Sequence, residues 1–259
     1  MVWSCLVSIL PGMAQTEKLT DYVNPFVGTD GYGNVYPGAQ IPFGGIQISP
    51  DTDSRFYDAA SGYKYNHLTL MGFSLTHLSG TGIPDLGDFL FIPGTGEMKL
   101  EPGTHEDPDQ GYRSRYSHDK EWASPNYYAV ELADYGGKDD MTSGVRSGMF
   151  RFTYPESDNA FIMIDMNHTL WQSCEWSNLR MINDSTITGY KLVKGWGPER
   201  HVYFTATFSK KLTGLRFVQD KKPVIYNTSR FRSSYEAWGK NLMACISFDT
   251  KAGEEVTVK

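Results

Sequence analysis

The chain has 259 residues, of which 40% are hydrophobic and 21% are charged, a composition that argues against disorder and leaves room for one large domain or two small ones. Its net charge of −6 argues against a protein that binds nucleic acid by neutralising phosphates, and no apolar run approaches the length of a membrane-spanning helix. Aromatic residues make up 14% of the chain, alongside 26 Gly and 13 Pro, and this combination favours many short strands joined by turns.

The first fifteen residues predict a secretory signal. Val2 to Leu10 form a short apolar core, and the small residues Gly12 and Ala14 precede a possible cleavage position. The alternative is a buried N-terminal strand. We divide the chain into a signal peptide over residues 1–15 and a folded domain over residues 16–259, and expect a secreted or periplasmic protein. Beyond the signal, Cys174 and Cys245 are either paired or free and buried.

Glycine and proline cluster in the first 110 residues, chiefly over 28–45 and 80–87. Long glycine-rich loops on a rigid sheet often carry function. Between the two clusters, Leu68 to Leu78 spaces its apolar residues like an amphipathic helix, although Gly72 interrupts the pattern. This is the single helix-like segment that the sequence offers.

Strand patterns follow in the second half of the chain. Apolar and polar residues alternate over 150–154, 202–208 and 242–248, a pattern typical of antiparallel strands with one buried face. Phe161 to Ile164 is continuously apolar, which indicates a strand covered on both faces. We predict an all-β fold, a large antiparallel β-sandwich with long Gly-rich loops and little helix. The alternation near Val256 breaks off at the last residue, which we interpret as truncation.

Local motifs exclude several activities. The glycine pairs at Gly31 and Gly80 lack the third glycine of a dinucleotide loop, and there is no Gly-Lys-Ser/Thr. No His-Glu-x-x-His and no paired Cys-x-x-Cys mark a zinc site. Asp30, Asp51 and Asp107 begin loops that do not match a calcium loop, and we interpret them as turn residues.

Two acidic residues and one histidine are candidates for chemistry. Asp85 and Asp88 flank Gly87, and such a pair either cleaves a glycosidic bond or caps turns. His77 is either a satisfied interior histidine or a ligand contact. Flat aromatic side chains can stack on the apolar faces of sugar rings or fill the core. The aromatic residues open to both interpretations are Tyr57, Tyr63, Tyr65, Trp171, Trp176 and Trp196.

A series of segments, in order along the chain, resembles glycoside hydrolase family 92, the exo-acting α-mannosidases. These segments are Asp21–Thr29, Tyr36–Ala39, Pro42–Gly44, Gln47–Asp51, Ser61–Tyr63, Gly72–Ser74, Thr76–Gly82 with Asp85 and Asp88, Tyr112–His118, Ser124–Tyr128, Ser157–Ala160, Gly195–Trp196, His201–Phe204 and Phe248–Thr250. The chain departs from the family at Leu75, where relatives often have histidine, and at 56–60, where many have a Trp and a Cys. These departures bear on linkage specificity.

The resemblance implies a two-part enzyme with an N-terminal β-sandwich and a C-terminal (α/α)6 barrel. The resemblance also implies a mannoside site between the two parts that holds a calcium ion. The implied reaction inverts the anomeric centre, with one carboxylic acid protonating the leaving oxygen and a carboxylate activating water. In the family both carboxylates and the calcium ligands belong to the barrel. We therefore assign no catalytic residue and no metal ligand to this chain, expect calcium in the full-length enzyme, and expect the chain alone to be inactive.

The same resemblance gives this chain a share of the substrate pocket and of the barrel interface. The loops 29–34, 56–63 and 77–88 are expected to face the barrel, and their glycines would let backbone N–H groups approach sugar hydroxyls. The predicted substrate-binding residues are Thr29, Tyr57, Asp58, His77, Gly80, Thr81, Gly82, Asp85 and Trp196. The expected partners are the barrel and an α-mannoside glycan from N-glycans or mannan. The alternatives are a stand-alone carbohydrate-binding module for mannose-type glycans and a purely structural scaffold.

Overall fold

The structure is a computed structural model that describes residues 17–54, 57–225 and 236–259, with the backbone alone for Asp58. The predicted signal peptide lies outside the described residues and stays a prediction. Among the described residues, no helix is long and apolar enough to cross a membrane.

Strands account for nearly all of the regular secondary structure. They are β1 Ala39–Gln40, β2 Gln47–Asp51, β3 Thr69–Leu70, β4 Gly72–Ser74, β5 Leu90–Thr95, β6 Ser114–Arg115, β7 Glu121–Ser124, β8 Tyr127–Leu132, β9 Gly137–Ser143, β10 Gly148–Tyr154, β11 Ser157–Asp165, β12 Ser173–Asn183, β13 Thr186–Lys194, β14 Arg200–Thr207, β15 Gly214–Gln219, β16 Lys222–Pro223, β17 Glu236–Gly239, β18 Leu242–Thr250 and β19 Glu254–Val258. Short 3-10 turns cover Leu19–Tyr22, Tyr57–Ala59, Pro108–Gln110 and His118–Lys120.

The strands form antiparallel sheets that confirm the predicted all-β fold. The largest has the order β1-β2-β4-β5-β11-β18-β15-β16, and a second has the order β19-β10-β9-β8-β7. A third sheet has the order β14-β13-β12-β17, and β3 pairs with β6. Because neighbouring strands run in opposite directions, their connecting loops collect at the two ends of the sheets.

Aromatic rings fill the space between the two largest sheets. Phe91 of β5 packs against Phe150 of β10, with ring centroids 4.9 Å apart, and Phe73 approaches Phe150 and Phe152 at 6.5 Å. Burying each such ring stabilises the fold by about 1.5–3 kcal/mol. The alternation predicted over 150–154 is confirmed, because Phe150, Phe152 and Tyr154 are buried and Arg151 is exposed.

Two strands of the central sheet are covered on both faces. Phe161 to Ile164 is buried throughout, as its continuous apolar run predicts. In β18 the prediction of one exposed face is wrong, because Met243 and Cys245 are buried as well. They pack in a second apolar cluster together with Met98 and Leu100, which belong to a long connection that crosses the outer face of the sheet.

The helix-like spacing of apolar residues over Leu68 to Leu78 does not correspond to a helix, because this segment contains the short strands β3 and β4. Gly72 has φ 155°, and a Cβ built on it would lie 2.6 Å from the carbonyl oxygen of Phe91. Pairing with the neighbouring strand therefore requires glycine here. Tertiary pairing outweighs the local helical spacing.

The two cysteines beyond the predicted signal are both free and buried. Burial raises the pKa of the Cys174 and Cys245 thiols. Of the two alternatives open from the sequence, the structure therefore supports inert, buried thiols.

Candidate functional site

Loops from distant parts of the sequence meet beside the end of the largest sheet where β4 and β11 end and β5 begins. Backbone hydrogen bonds join them: Gly80 N donates to Asn34 O over 2.7 Å, and Leu170 N donates to Leu86 O over 2.9 Å. We call this region the loop end. It comprises residues 28–35, 57–65, 76–88, 166–172 and 195–199.

Asp88 lies at the base of the loop end in a buried ion cluster. Its Oδ1 is 3.1 Å from Lys191 Nζ, and Arg200 Nη1 donates to its Oδ2. Burial alone would raise the pKa of Asp88, but the charges of Lys191 and Arg200 outweigh it and lower the pKa below its ordinary value. Thr76 also donates to Oδ2 over 2.8 Å. The carboxylate of Asp88 is thus committed to holding the loops together.

Asp85 serves a similar purpose nearer the surface. Its Oδ1 accepts the backbone N–H of Leu86 over 2.6 Å, and its Oδ2 accepts the backbone N–H of Trp196 over 3.1 Å. Arg200 Nη2 lies 3.9 Å from Oδ1. Asp85 is only 6% exposed, whereas Trp196 is 63% exposed. The structure therefore places Asp85 as a residue that positions the Trp196 turn.

His77 belongs to a buried triad centred on Asp51. Its Nε2 is 2.8 Å from Asp51 Oδ1 and its Nδ1 is 2.7 Å from Gln47 O, so both ring nitrogens face oxygen acceptors. His168 Nε2 lies 2.7 Å from Asp51 Oδ2. Burial would raise the pKa of Asp51, but the two imidazoles hold it well below its ordinary value. His77 thus takes the interior role that the sequence left open.

Four aromatic side chains of the loop end are largely exposed: Tyr32, Tyr57, Trp171 and Trp196. The rings of Tyr57 and Trp171 meet edge to face, with centroids 6.4 Å apart. Of the other aromatic candidates, Tyr63 is buried and its hydroxyl donates a hydrogen bond to Glu121. The ring of Tyr65 stacks on the imidazole of His118, with ring centroids 3.9 Å apart. Exposed rings on a rigid loop offer flat apolar surfaces to a ligand.

Of the remaining predicted substrate-binding residues, some have side chains bonded within the loops and others are accessible at the surface. Thr29 is buried and donates its hydroxyl to Phe26 O, and Thr81 donates to Ile83 O. Gly80 and Gly82 are exposed, and a Cβ on either would meet nothing within 4 Å. Asp58 lies in the 3-10 turn that begins at Tyr57. The structure thus brings the loops together, but leaves few side-chain polar groups free at their surface.

Residues 17–54, 57–225 and 236–259 include no group of three or more His, Cys, Asp or Glu that could hold a metal ion. Asp51 is bonded to imidazoles and Asp88 to Lys191 and Arg200 instead. The described residues therefore do not fit the calcium site that the resemblance implies for the whole enzyme.

The chain matches a known family of sequences over nearly its whole length. Residues 22–259 match the glycosyl hydrolase family 92 N-terminal domain. The chain belongs to glycosyl hydrolase family 92. The family assignment rests on nearly the whole chain rather than on the few loops described above, and it confirms the resemblance seen in the sequence.

Solved family 92 structures share the fold. The chain is 99% identical to an alpha-mannosidase from Bacteroides thetaiotaomicron, with a TM-score of 0.91 over 93% of this chain and 33% of that one. That enzyme has also been solved with mannoimidazole. A family 92 inverting mannosidase from Bacteroides thetaiotaomicron VPI-5482 is 24% identical, with a TM-score of 0.74 over 94% of this chain and 31% of that one. The chain thus spans about a third of the length of these structures.

A relative known from sequence points the same way. A protein of Arthroderma benhamiae described as an uncharacterized secreted glycosidase is 28% identical over 139 residues, which are 53% of this chain and 17% of that protein. This relative resembles the chain over only part of the domain.

Sequence reasoning missed the groups that hold the loop end together. Lys191 and Arg200 lie in strands whose alternation suggests ordinary sheet residues, and their partner Asp88 is more than 100 positions away in the sequence. Trp171 was one of six interchangeable aromatic candidates. Its exposure and its contact with Tyr57 are what distinguish it, and neither leaves a local sequence signal.

Proposed function

We propose that this chain is the N-terminal part of a secreted, exo-acting α-mannosidase that breaks down mannose-containing glycans. The observation that carries the proposal is the 99% identity to a Bacteroides thetaiotaomicron alpha-mannosidase over 93% of the chain. The chain spans 33% of that enzyme. We propose that the remaining two thirds contain the C-terminal (α/α)6 barrel, and that this barrel is the partner of the chain.

The role of this part is to form one wall of the sugar pocket. Tyr57, Trp171 and Trp196 present exposed rings, and Gly80 and Gly82 leave open space in which a sugar hydroxyl can approach the backbone. Thr29, His77 and Asp85 have an indirect role, because their side chains already bond to backbone groups or to buried carboxylates. They position the loops that the sugar contacts.

We place the chemical step outside this chain. An inverting glycosidase needs one carboxylic acid and one carboxylate, separated widely enough to admit a water. Asp85 and Asp88 do not suit these roles, because Asp88 is paired with Lys191 and Arg200 and Asp85 holds backbone N–H groups. We propose that the acid, the base and the calcium ion belong to the partner barrel.

The test joins this chain to the remaining two thirds of the Bacteroides thetaiotaomicron enzyme and measures hydrolysis of an aryl α-mannoside. We expect the joined protein to hydrolyse the substrate with inversion, and the 259-residue chain alone to show none. The Asp88→Asn variant of the joined protein should lose stability, and at temperatures where it stays folded it should still turn over. Turnover by the isolated chain, or an inactive joined protein that is correctly folded, would contradict the proposal.

A binding module is the second candidate, favoured by the exposed rings of the loop end. It predicts that the isolated chain binds α-mannosides without the barrel. Calorimetric titration of the chain with mannobiose separates the two, because a wall that is incomplete by itself binds far more weakly than a complete site.

A further inference from the structure

A large cavity opens beside the loop end. It encloses about 930 Å³, which lies within the usual range for small-molecule sites. Its floor is apolar and includes the buried side chains of Met71, Val218 and Met243. Its walls are polar or aromatic and include Asp165, His168, Trp171, Gln172, Lys240 and Asn241. We call it the lateral cavity.

Trp171 lines the lateral cavity and also contacts Tyr57 of the loop end. It has φ 75°, a left-handed conformation that a bulky side chain rarely adopts, and it is 64% exposed. A strained and exposed indole persists only where the surrounding structure enforces it, and such positions cluster at ligand sites.

The loop that carries Trp171 is held on both sides. Thr169 Oγ1 donates to Gln172 O over 2.9 Å, and Gln172 Nε2 donates to Pro84 O over 2.8 Å. Earlier in the loop, Asn167 N donates to Asp165 Oδ1 over 2.8 Å and His168 bonds to Asp51. The indole is therefore presented on a preorganised support, which reduces the entropy lost on binding.

Charge selects the class of ligand. The rim cations Lys221 and Lys240 are already paired, with Glu101 at 2.6 Å and with Glu175 at 3.3 Å. Asn241 donates to Asp220 over 2.7 Å. Burial raises the pKa of the Asp165 carboxyl and thereby favours its neutral form, which both donates and accepts hydrogen bonds. The pairing leaves little charge to attract an ion, whereas an uncharged ligand rich in hydroxyls matches both the polar wall and the indole.

We propose that the lateral cavity is a carbohydrate subsite for the inner sugars of a mannose-type glycan, those more remote from the cleaved bond, and that a sugar ring stacks on Trp171. The proposal rests on the proposed function, since it extends the glycan from the loop end into the cavity. Continuity supports it: Gln172 lines the cavity, and a Cβ on Gly195, next to Trp196, would lie 2.5 Å from Gln172 Cγ.

The experiment titrates the 259-residue chain with methyl α-mannoside and with linear α-mannobiose, -triose and -tetraose, using calorimetry and indole NMR signals. We expect the tetraose to bind about tenfold more tightly than the methyl glycoside, in line with one ring-stacking contact. Trp171→Gly, which suits the left-handed φ, should abolish this increase in affinity with oligosaccharide length, and Trp171→Tyr should retain most of the increase. Trp122→Gly, which removes an exposed indole on β7, should bind like the parent chain.

A second variant tests the cavity without changing Trp171. Asn167→Trp fills the cavity from an exposed position and keeps the backbone N–H that bonds to Asp165. This variant should also abolish the increase in affinity with oligosaccharide length. Asn159→Trp, on the exposed part of β11, is its matched control. Circular dichroism checks the fold of each variant.

The outcomes separate this inference from the proposed function. The subsite is overturned if the parent chain binds α-mannosides of all lengths with equal affinity. It is also overturned if affinity still rises fully with oligosaccharide length in both Trp171→Gly and Asn167→Trp. Either result holds even if the joined enzyme hydrolyses aryl mannosides. The opposite result is an inactive joined enzyme whose N-terminal chain still binds longer α-mannosides more tightly in a Trp171-dependent way. That result overturns the enzyme proposal and supports the subsite.

Discussion

Asp85 accepts a hydrogen bond from the backbone N–H of Trp196, 111 positions later in the sequence, over 3.1 Å. Both residues are predicted to contact substrate, yet only the indole is exposed. The carboxylate fixes the turn from which the indole projects. A residue can thus matter for ligand binding by ordering the backbone of another, and a mutation at Asp85 should act through Trp196.

Removing this carboxylate should loosen the Trp196 turn. We expect Asp85→Ala to lower the free energy of unfolding by about 2 kcal/mol, because buried N–H groups lose a charged acceptor. Hydrogen exchange at the Trp196 amide should become much faster than in the parent chain. Asp158→Ala, at an exposed position on β11, is the control and should change neither measurement. Unchanged exchange at Trp196 would contradict the positioning role.

The Asp51 triad should make the fold sensitive to acid. Its imidazole partners lower the pKa of Asp51 in the folded state, so the unfolded chain takes up this proton first as the pH falls. The stabilisation is therefore complete well above the unfolded pKa of about 3.9 and shrinks as the pH falls through and below that value.

Substitution isolates this contribution. Asp51→Asn should lower the free energy of unfolding by about 3 kcal/mol at pH 7, because two buried histidines lose their anionic partner. Urea denaturation between pH 7 and pH 3 should show the difference between parent and variant narrowing towards acid. The exposed Asp119→Asn change is the control. A difference that widens towards acid would refute the assignment.

Asp139 should have the opposite pH dependence. Burial in the core raises the pKa of its carboxyl well above the ordinary value, and Tyr135 donates to its Oδ1. In the folded state it stays protonated, so its contribution is complete below pH about 4 and is lost as the pH rises towards its folded pKa. Within that window the loss is up to about 1.4 kcal/mol per pH unit.

The Asp139→Asn variant removes this proton linkage. Its stability relative to the parent chain should rise as the pH increases from 4 to 8, measured by urea denaturation at each pH. Asp249→Asn, which changes an exposed carboxylate, should give a flat difference. A falling relative stability of Asp139→Asn over the same range would show that Asp139 is ionised in the fold.

Two glycines with left-handed backbones provide a matched pair. Gly87 has φ 74°, and a Cβ there would lie 2.7 Å from Leu170 Cγ and 2.8 Å from Leu170 N, whereas Gly96 has φ 81° and open space. Gly96→Ala should cost about 1 kcal/mol from backbone strain alone. Gly87→Ala should cost at least 2 kcal/mol more, because it also pushes the 166–172 loop away from the 76–88 loop. Equal urea midpoints for the two variants would contradict this packing.

Much of the fold was predictable because strands leave a periodic signal. The alternation over 150–154 and the apolar run over Phe161–Ile164 correspond to β10 and to the buried part of β11. The failures arose where a second layer covers a sheet. Met243 and Cys245 lie under the long connection that includes Leu100, and Gly72 allows a strand to approach Phe91. Both depend on contacts across the chain that periodicity does not encode.

By itself the sequence determined the all-β class, the glycine-rich loops and, through a series of motifs in order along the chain, the resemblance to family 92. These properties follow from local residue patterns. Only the tertiary structure decided that Asp88 is paired with Lys191 and Arg200, that His77 is an interior residue bonded to Asp51, and that Trp171 faces a cavity. The physical reason is that burial and neighbouring charges determine the role of an ionisable or aromatic group, and both arise from residues far apart in sequence.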